Sequence, residues 1–170
     1  IHHDINNKEN TEMDQRKTDS LIYGAAERVA PLADEREKDE VAVEIAGHKI
    51  TWQQVRYLLC SALEGGSNYW YRIDEFVTPE VGDMPWPGET QRFRHLDYPV
   101  RKGGALVIRD KEQGFDGEIK PVDRETLVAG LKVMAAKYIK HFADFVEERD
   151  DATTGDVFLQ CVCFGEAIYG

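Results

Sequence analysis

Residues 62–71 read ALEGGSNYWY, an apolar helical segment that runs into two glycines and then into three adjacent aromatic side chains. Working backwards, the stretch TWQQ from Thr51 has the form of a capping box, in which the threonine hydroxyl accepts from the third helical amide and Gln54 reaches back to the cap. Trp52, Val55, Leu59 and Leu63 follow at helical spacing. A helix is therefore expected after Thr51, with Gly65 as a left-handed C-cap and Gly66 completing a reversal that would strain any residue carrying a Cβ. Working forwards, NYWYRIDEFV has the composition of a strand. Its alternation is expected to place Tyr69, Tyr71 and Ile73 on one face and Trp70, Arg72 and Asp74 on the other. Trp70 is expected inside, because the indole buries the most apolar area, and the tyrosines toward solvent or a shallow groove.

The surrounding chain supplies the rest of the fold. VAVEI from Val41 alternates like a half-buried strand, AGH is a turn and KIT returns, which makes a hairpin. Further on, GGALVIRD reads as a strand, KEQGFDG as a turn and EIKPV as the return, with Pro121 confining it to an edge. Asp123 is expected to cap one long helix through Glu148, whose apolar stripe is Leu127, Leu131, Ala135, Tyr138, Phe142 and Phe145. Thr153 or Thr154 is expected to cap a last helix, GDVFLQCVCFGEAIYG, apolar on nearly every side and so central to the core. The expected class is α+β: two hairpin-plus-helix units forming a small antiparallel sheet packed against helices, with an apolar C-terminal helix. Residues 1–20 read as a polar arm and residues 21–170 as a single domain. Leu21 to Ala33 reads as a short helix, and Thr78 to Pro99, rich in proline and glycine, as an irregular excursion.

A chain of 170 residues with 42% hydrophobic content can bury a core without metals or disulfides. The net charge of −11, from 32 acidic and 21 basic residues, disfavours direct nonspecific nucleic-acid binding, which draws on lysine and arginine. No apolar run is long enough to cross a bilayer, and Ile1 to Ser20 has no secretory pattern, so no membrane partner is expected. Cys60, Cys161 and Cys163 lack zinc spacing and are expected reduced, the latter two as small buried hydrophobes.

The sequence carries no dinucleotide, Walker A, zincin, nucleophile-elbow or EF-hand motif, and no cofactor is implied. His95 and Asp97 have metal-like spacing without a further ligand in register. Glu64 at a helix end and Glu166 in an apolar helix are carboxylates of interest, and burial of Glu166 would call for a cation such as Arg72, Arg101 or Lys102. Two binding surfaces are legible. In the first, Tyr69 and Tyr71 offer flat rings for a base, while Arg92, Arg94, Arg101 and Lys102 offer charge for phosphates, with Gly103 and Gly104 presenting amides. In the second, Glu147, Glu148, Asp150 and Asp151 form an acidic block suited to a basic partner.

ALEGGSNYWY, RKGGALVIRD and DVFLQCVCFGEAIYG, in this order within residues 41–170, resemble motifs of a family of small, uncharacterised proteins encoded by bacteriophages and prophages. The resemblance brings no activity and no catalytic residue; it implies phage origin and action in the cytoplasm of a bacterial host. The resulting expectation is a noncatalytic accessory protein that binds and inhibits a host factor with a basic surface, belonging to a defence or nucleic-acid-processing system, as anti-CRISPR-like counter-defence proteins do. The alternative is a protein that binds or sequesters a small nucleotide, or an enzyme without a recognised signature. The polar arm would become ordered only against another subunit, which makes a homo-oligomer a further expected partner.

Overall fold

The computed structural model describes residues 37–82, 95–114 and 117–170. The expected arm, the Leu21 to Ala33 helix, Arg92 and Arg94 lie outside the described residues.

Strands β1 (Val41–Ile45) and β2 (His48–Thr51) form the first hairpin. Ala46 and Gly47 both take positive φ, 52° and 82°, the primed-turn geometry that matches strand twist. Thr51 then starts α1 (Trp52–Ser61): its hydroxyl accepts from the Gln54 amide at 3.3 Å, and Gln54 Oε1 accepts from the Thr51 amide at 2.9 Å. Both bonds of the expected capping box are present.

The end of α1 differs from the expected cap. The helix widens into a π-helical turn, Ala62–Gly66, and neither Gly65 nor Gly66 is left-handed. The second glycine is required by packing instead of by chain reversal. A Cβ on Gly66 would run into the carbonyl oxygen of Ala152, and one on Gly155 would lie 2.6 Å from the Ala62 amide, so two helix backbones touch here. The chain then turns through Ser67, whose carbonyl accepts from the Trp70 amide at 3.1 Å. Tyr69 and Trp70 therefore precede β3 (Tyr71–Val77), and this turn, not strand alternation, sends Trp70 inward and Tyr69 outward.

Strand β3 pairs antiparallel with β4 (Ala105–Asp110), which pairs with β5 (Ile119–Val122) in the order β3-β4-β5. Pro121 sits in edge strand β5 opposite Val107, where its missing N–H costs no ladder bond on the outer side. Asp123 caps α2 (Arg124–Lys137), accepting from the Thr126 amide at 2.9 Å. The expected single helix is broken at Tyr138 (φ −128°, ψ 57°), and α3 (Ile139–Val146) follows in a new direction. The break keeps Leu127, Leu131 and Met134 of α2 and Phe142 and Phe145 of α3 buried in one core, and the Tyr138 hydroxyl accepts from the Ala167 amide at 2.7 Å.

The last helix, α4 (Ala152–Phe164), is capped by Asp151, not by Thr153 or Thr154: the Asp151 carboxylate accepts from the Thr154 amide at 2.8 Å. It ends at Gly165 with φ 73°, so Glu166 is exposed beyond the helix and needs no cation. Phe158, Leu159, Cys161 and Cys163 of α4 are buried among Leu58 and Leu59 of α1, Leu131 of α2 and Leu106 and Ile108 of β4. Both cysteines are free. The described chain is thus α+β, with a two-stranded and a three-stranded antiparallel sheet around a central apolar helix. Among the described residues no helix is long and apolar enough to cross a membrane.

The two glycines of the π turn should respond differently to substitution. Gly66→Ala is expected to destabilise by about 1–3 kcal/mol through backbone overlap. Gly65→Ala, whose Cβ would meet only the Ala152 Cβ at 4.0 Å, should be neutral or stabilising. Urea unfolding measures both, and a Gly66→Ala protein of unchanged stability would contradict the packing account.

Candidate functional site

The residues that join α1 to β3 converge on one carboxylate of α4. Asp156 is 8% exposed. Its Oδ1 accepts from Ser67 Oγ and Trp70 Nε1, both at 2.7 Å, and its Oδ2 accepts from Tyr69 Oη at 2.8 Å and Gln160 Nε2 at 3.0 Å. Gln160, one turn further on, holds the C-terminal segment: its Oε1 accepts from the amides of Ile168 and Tyr169 at 2.7 Å. Tyr169 lies stacked over Trp70 with ring centroids 5.9 Å apart and donates to Asp110 Oδ2 at 2.7 Å. Among the described residues no lysine or arginine pairs with Asp156, so its charge is held by neutral donors alone.

Three tyrosines around this centre have raised pKa values, and only Tyr69 owes part of its shift to Asp156. Tyr69 is 47% exposed, but its hydroxyl donates to the buried Asp156. Desolvation and then the bond to Asp156 push its pKa up to about 12. Tyr71 is also pushed up to about 12, first by burial and then by the charge of Glu64, and its hydroxyl donates to the Leu63 carbonyl at 2.6 Å. The bond to Asp110 and desolvation raise Tyr169 in the same direction.

Beside this network lies an open hollow of about 480 Å³, lined by Gly65, Gly66, Tyr69, Ala152, Thr153, Asp156 and Gly170. The acidic block leads directly to it, because Asp151 immediately precedes Ala152. Glu147 and Glu148 are exposed. Asp150 is half-buried, and burial followed by the charges of Asp151 and Glu148 raises its pKa. Asp151 is exposed and also structural, its carboxyl held below the usual range chiefly by the Thr154 amide.

The basic candidates lie elsewhere. Arg101 is buried and lines a different hollow, of about 300 Å³, with Gly103, Gly104 and Arg124. Lys102 is exposed with its ammonium 3.4 Å from Glu40. The Lys102 amide and Arg124 both donate to Glu37 Oε1, at 2.8 and 2.7 Å, and Arg124 stacks over Trp52 at 4.3 Å. A Cβ on Gly104 would lie 2.9 Å from Pro79 Cγ, so packing accounts for that glycine without an anion. Arg101 and Tyr69 therefore do not share a site. The metal-like pair is also occupied: Asp97 is buried 3.7 Å from Arg56, and the exposed His95 ring lies 5.2 Å from Phe76 and 5.3 Å from Tyr98.

No family model matches this chain, and no curated protein or solved structure is significantly similar to it. Asp156 is the residue that sequence reasoning passed over in favour of Glu166. The available signal was an aspartate within an otherwise apolar helix, a charge that burial makes costly without partners.

Two measurements test the network. Trp70→Ala should cost about 3–5 kcal/mol, since it removes a buried ring and an Asp156 donor together. Tyr69 and Tyr71 have folded pKa values near 12 against an ordinary 10.0, so the folded state favours their neutral forms. The stability this contributes is fully present below pH 10 and is lost as pH rises from 10 toward 12. Tyrosine absorbance of the native protein should therefore show a late-titrating class that joins the ordinary phenols on unfolding. A single native transition near pH 10 would contradict the hydrogen bonding assigned here.

Proposed function

We propose that this protein acts by binding, and that its acidic end docks on the basic surface of a bacterial host protein whose action it blocks. The observation that carries the reading is that exposed Asp151, which closes the acidic block, and exposed Glu64 are the chain neighbours of two residues in contact, Ala152 and Gly65. The connector bearing Glu147, Glu148, Asp150 and Asp151 delivers Ala152 against Gly65 and Gly66, next to exposed Glu64. A concentration of like charge on a chain of net charge −11 steers encounter with basic partners. The buried polar groups nearby are committed to holding the fold, Asp156 to its four donors and Gln160 to the C-terminal segment. The resemblance to phage proteins supports a host protein as the partner. A nucleotide is the poorer fit, because Lys102 and Arg124 are already paired with Glu40 and Glu37.

Capture from bacterial lysate at moderate salt, followed by affinity measurement with the captured protein, tests the reading. Glu147→Lys combined with Glu148→Lys should leave the unfolding midpoint unchanged, since both side chains are exposed, and should weaken the complex at least about tenfold. Equal affinity for the double variant would reject the acidic face as the docking surface. A nucleotide panel should leave thermal stability flat, whereas a gain of about 2.7 kcal/mol at a hundredfold excess over Kd would favour nucleotide binding instead.

A further inference from the structure

Three residues that local stability rules alone would not select lie at or next to the lining of the hollow beside Asp156. Glu64 lies in the π turn that ends α1, where the negative end of the helix dipole favours cations, yet the last turn carries no basic residue. Gly65 occupies a helical position without positive φ, and a Cβ there would make only an ordinary contact, so neither backbone nor packing requires glycine. Asp156 is a buried charge without a lysine or arginine partner among the described residues. Such departures from local stability gather where a site is built. Gly65 and Asp156 line the same hollow of about 480 Å³, Glu64 is the chain neighbour of Gly65, and the lining has no basic side chain.

We infer that this hollow receives the guanidinium or ammonium end of an arginine or lysine side chain of the partner, an assignment that rests on the acidic-face reading and names the group recognised. Asp156 has its four acceptor positions filled by neutral donors, so it supplies negative potential instead of a direct ion pair. Tyr69 spends its proton on Asp156, and its exposed side chain offers an aromatic face on which a guanidinium can stack. Exposed Glu64, next in the chain to the lining residue Gly65, adds negative charge nearby, and the positive end of α4 is already answered by Asp151. The absent side chain of Gly65 leaves the mouth open.

The indole N–H of Trp70, bonded to the same carboxylate, is a built-in reporter. Titration of the full chain with N-acetylarginine amide should shift its NMR resonance saturably, and the lysine analogue should do so more weakly. Neutral N-acetylglutamine amide should not shift it. Gly65→Leu should weaken the arginine response at least about tenfold with an unchanged unfolding midpoint, and Glu64→Gln should weaken it less. An unsaturable response to both cations, or undiminished binding by Gly65→Leu, overturns the site. Loss of the arginine response in Gly65→Leu with undiminished affinity for the captured host protein overturns the partner side chain as occupant. A saturable arginine response alongside unchanged capture by the Glu147→Lys, Glu148→Lys variant supports the cation site and rejects the acidic-face reading beneath it.

Discussion

The Asp156 carboxylate is the interaction on which the rest of the structure depends. Taking a carboxylate out of water costs several kcal/mol, and hydrogen bonds to a charged acceptor recover about 1.5–3 kcal/mol each. Ser67, Tyr69 and Trp70 supply three of the four bonds from a single turn, and Gln160 supplies the fourth from α4 itself. That turn is the only covalent link between α1 and β3, so the carboxylate fixes how the helical part meets the three-stranded sheet. Through Gln160 and the Tyr169 ring the same centre also holds the C-terminal segment against Trp70.

The geometry of that centre demands unusually close helix contact. Gly66 and Gly155 remove the side chains that would hold α1 and α4 apart, and the π turn re-aims the chain so that Ser67 reaches the carboxylate. Two helix ends brought this close leave a hollow beside them, because backbones that touch at one point diverge on either side. Binding at that hollow would act on groups already held in place, which lowers the ordering cost of a partner contact.

Charge placement separates the two surfaces that the sequence offers. On the acidic side, Glu147 and Glu148 stand exposed, and the exposed Arg149 pairs at 2.5 Å with Glu147, a contact that adds little in water. On the basic side, the charges meet partners within the fold: Arg124 stacks on Trp52 and bonds Glu37, and the Lys102 ammonium lies 3.4 Å from Glu40. The acidic surface keeps its charge available to another molecule, and much of the basic charge is spent internally.

What the sequence by itself determined was whatever depends on near neighbours in the chain. The Thr51 and Asp123 caps bond amides three residues on, the first hairpin closes across Ala46 and Gly47, and β5 takes the edge because Pro121 lacks an N–H. Trp70 was also legible as a core residue, although for a different reason: a turn buries it, and its N–H does find a polar partner. Tertiary structure decided the π turn, the break at Tyr138, the use of Asp151 over the neighbouring threonines as the α4 cap, and the separation of Tyr69 from Arg101. Above all it decided that the buried carboxylate is Asp156 and not Glu166. Its donors Ser67, Tyr69 and Trp70 lie 86 to 89 residues away in the chain. No periodicity or local propensity encodes a contact of that separation, which exists only once the backbones of α1 and α4 meet at Gly66 and Gly155.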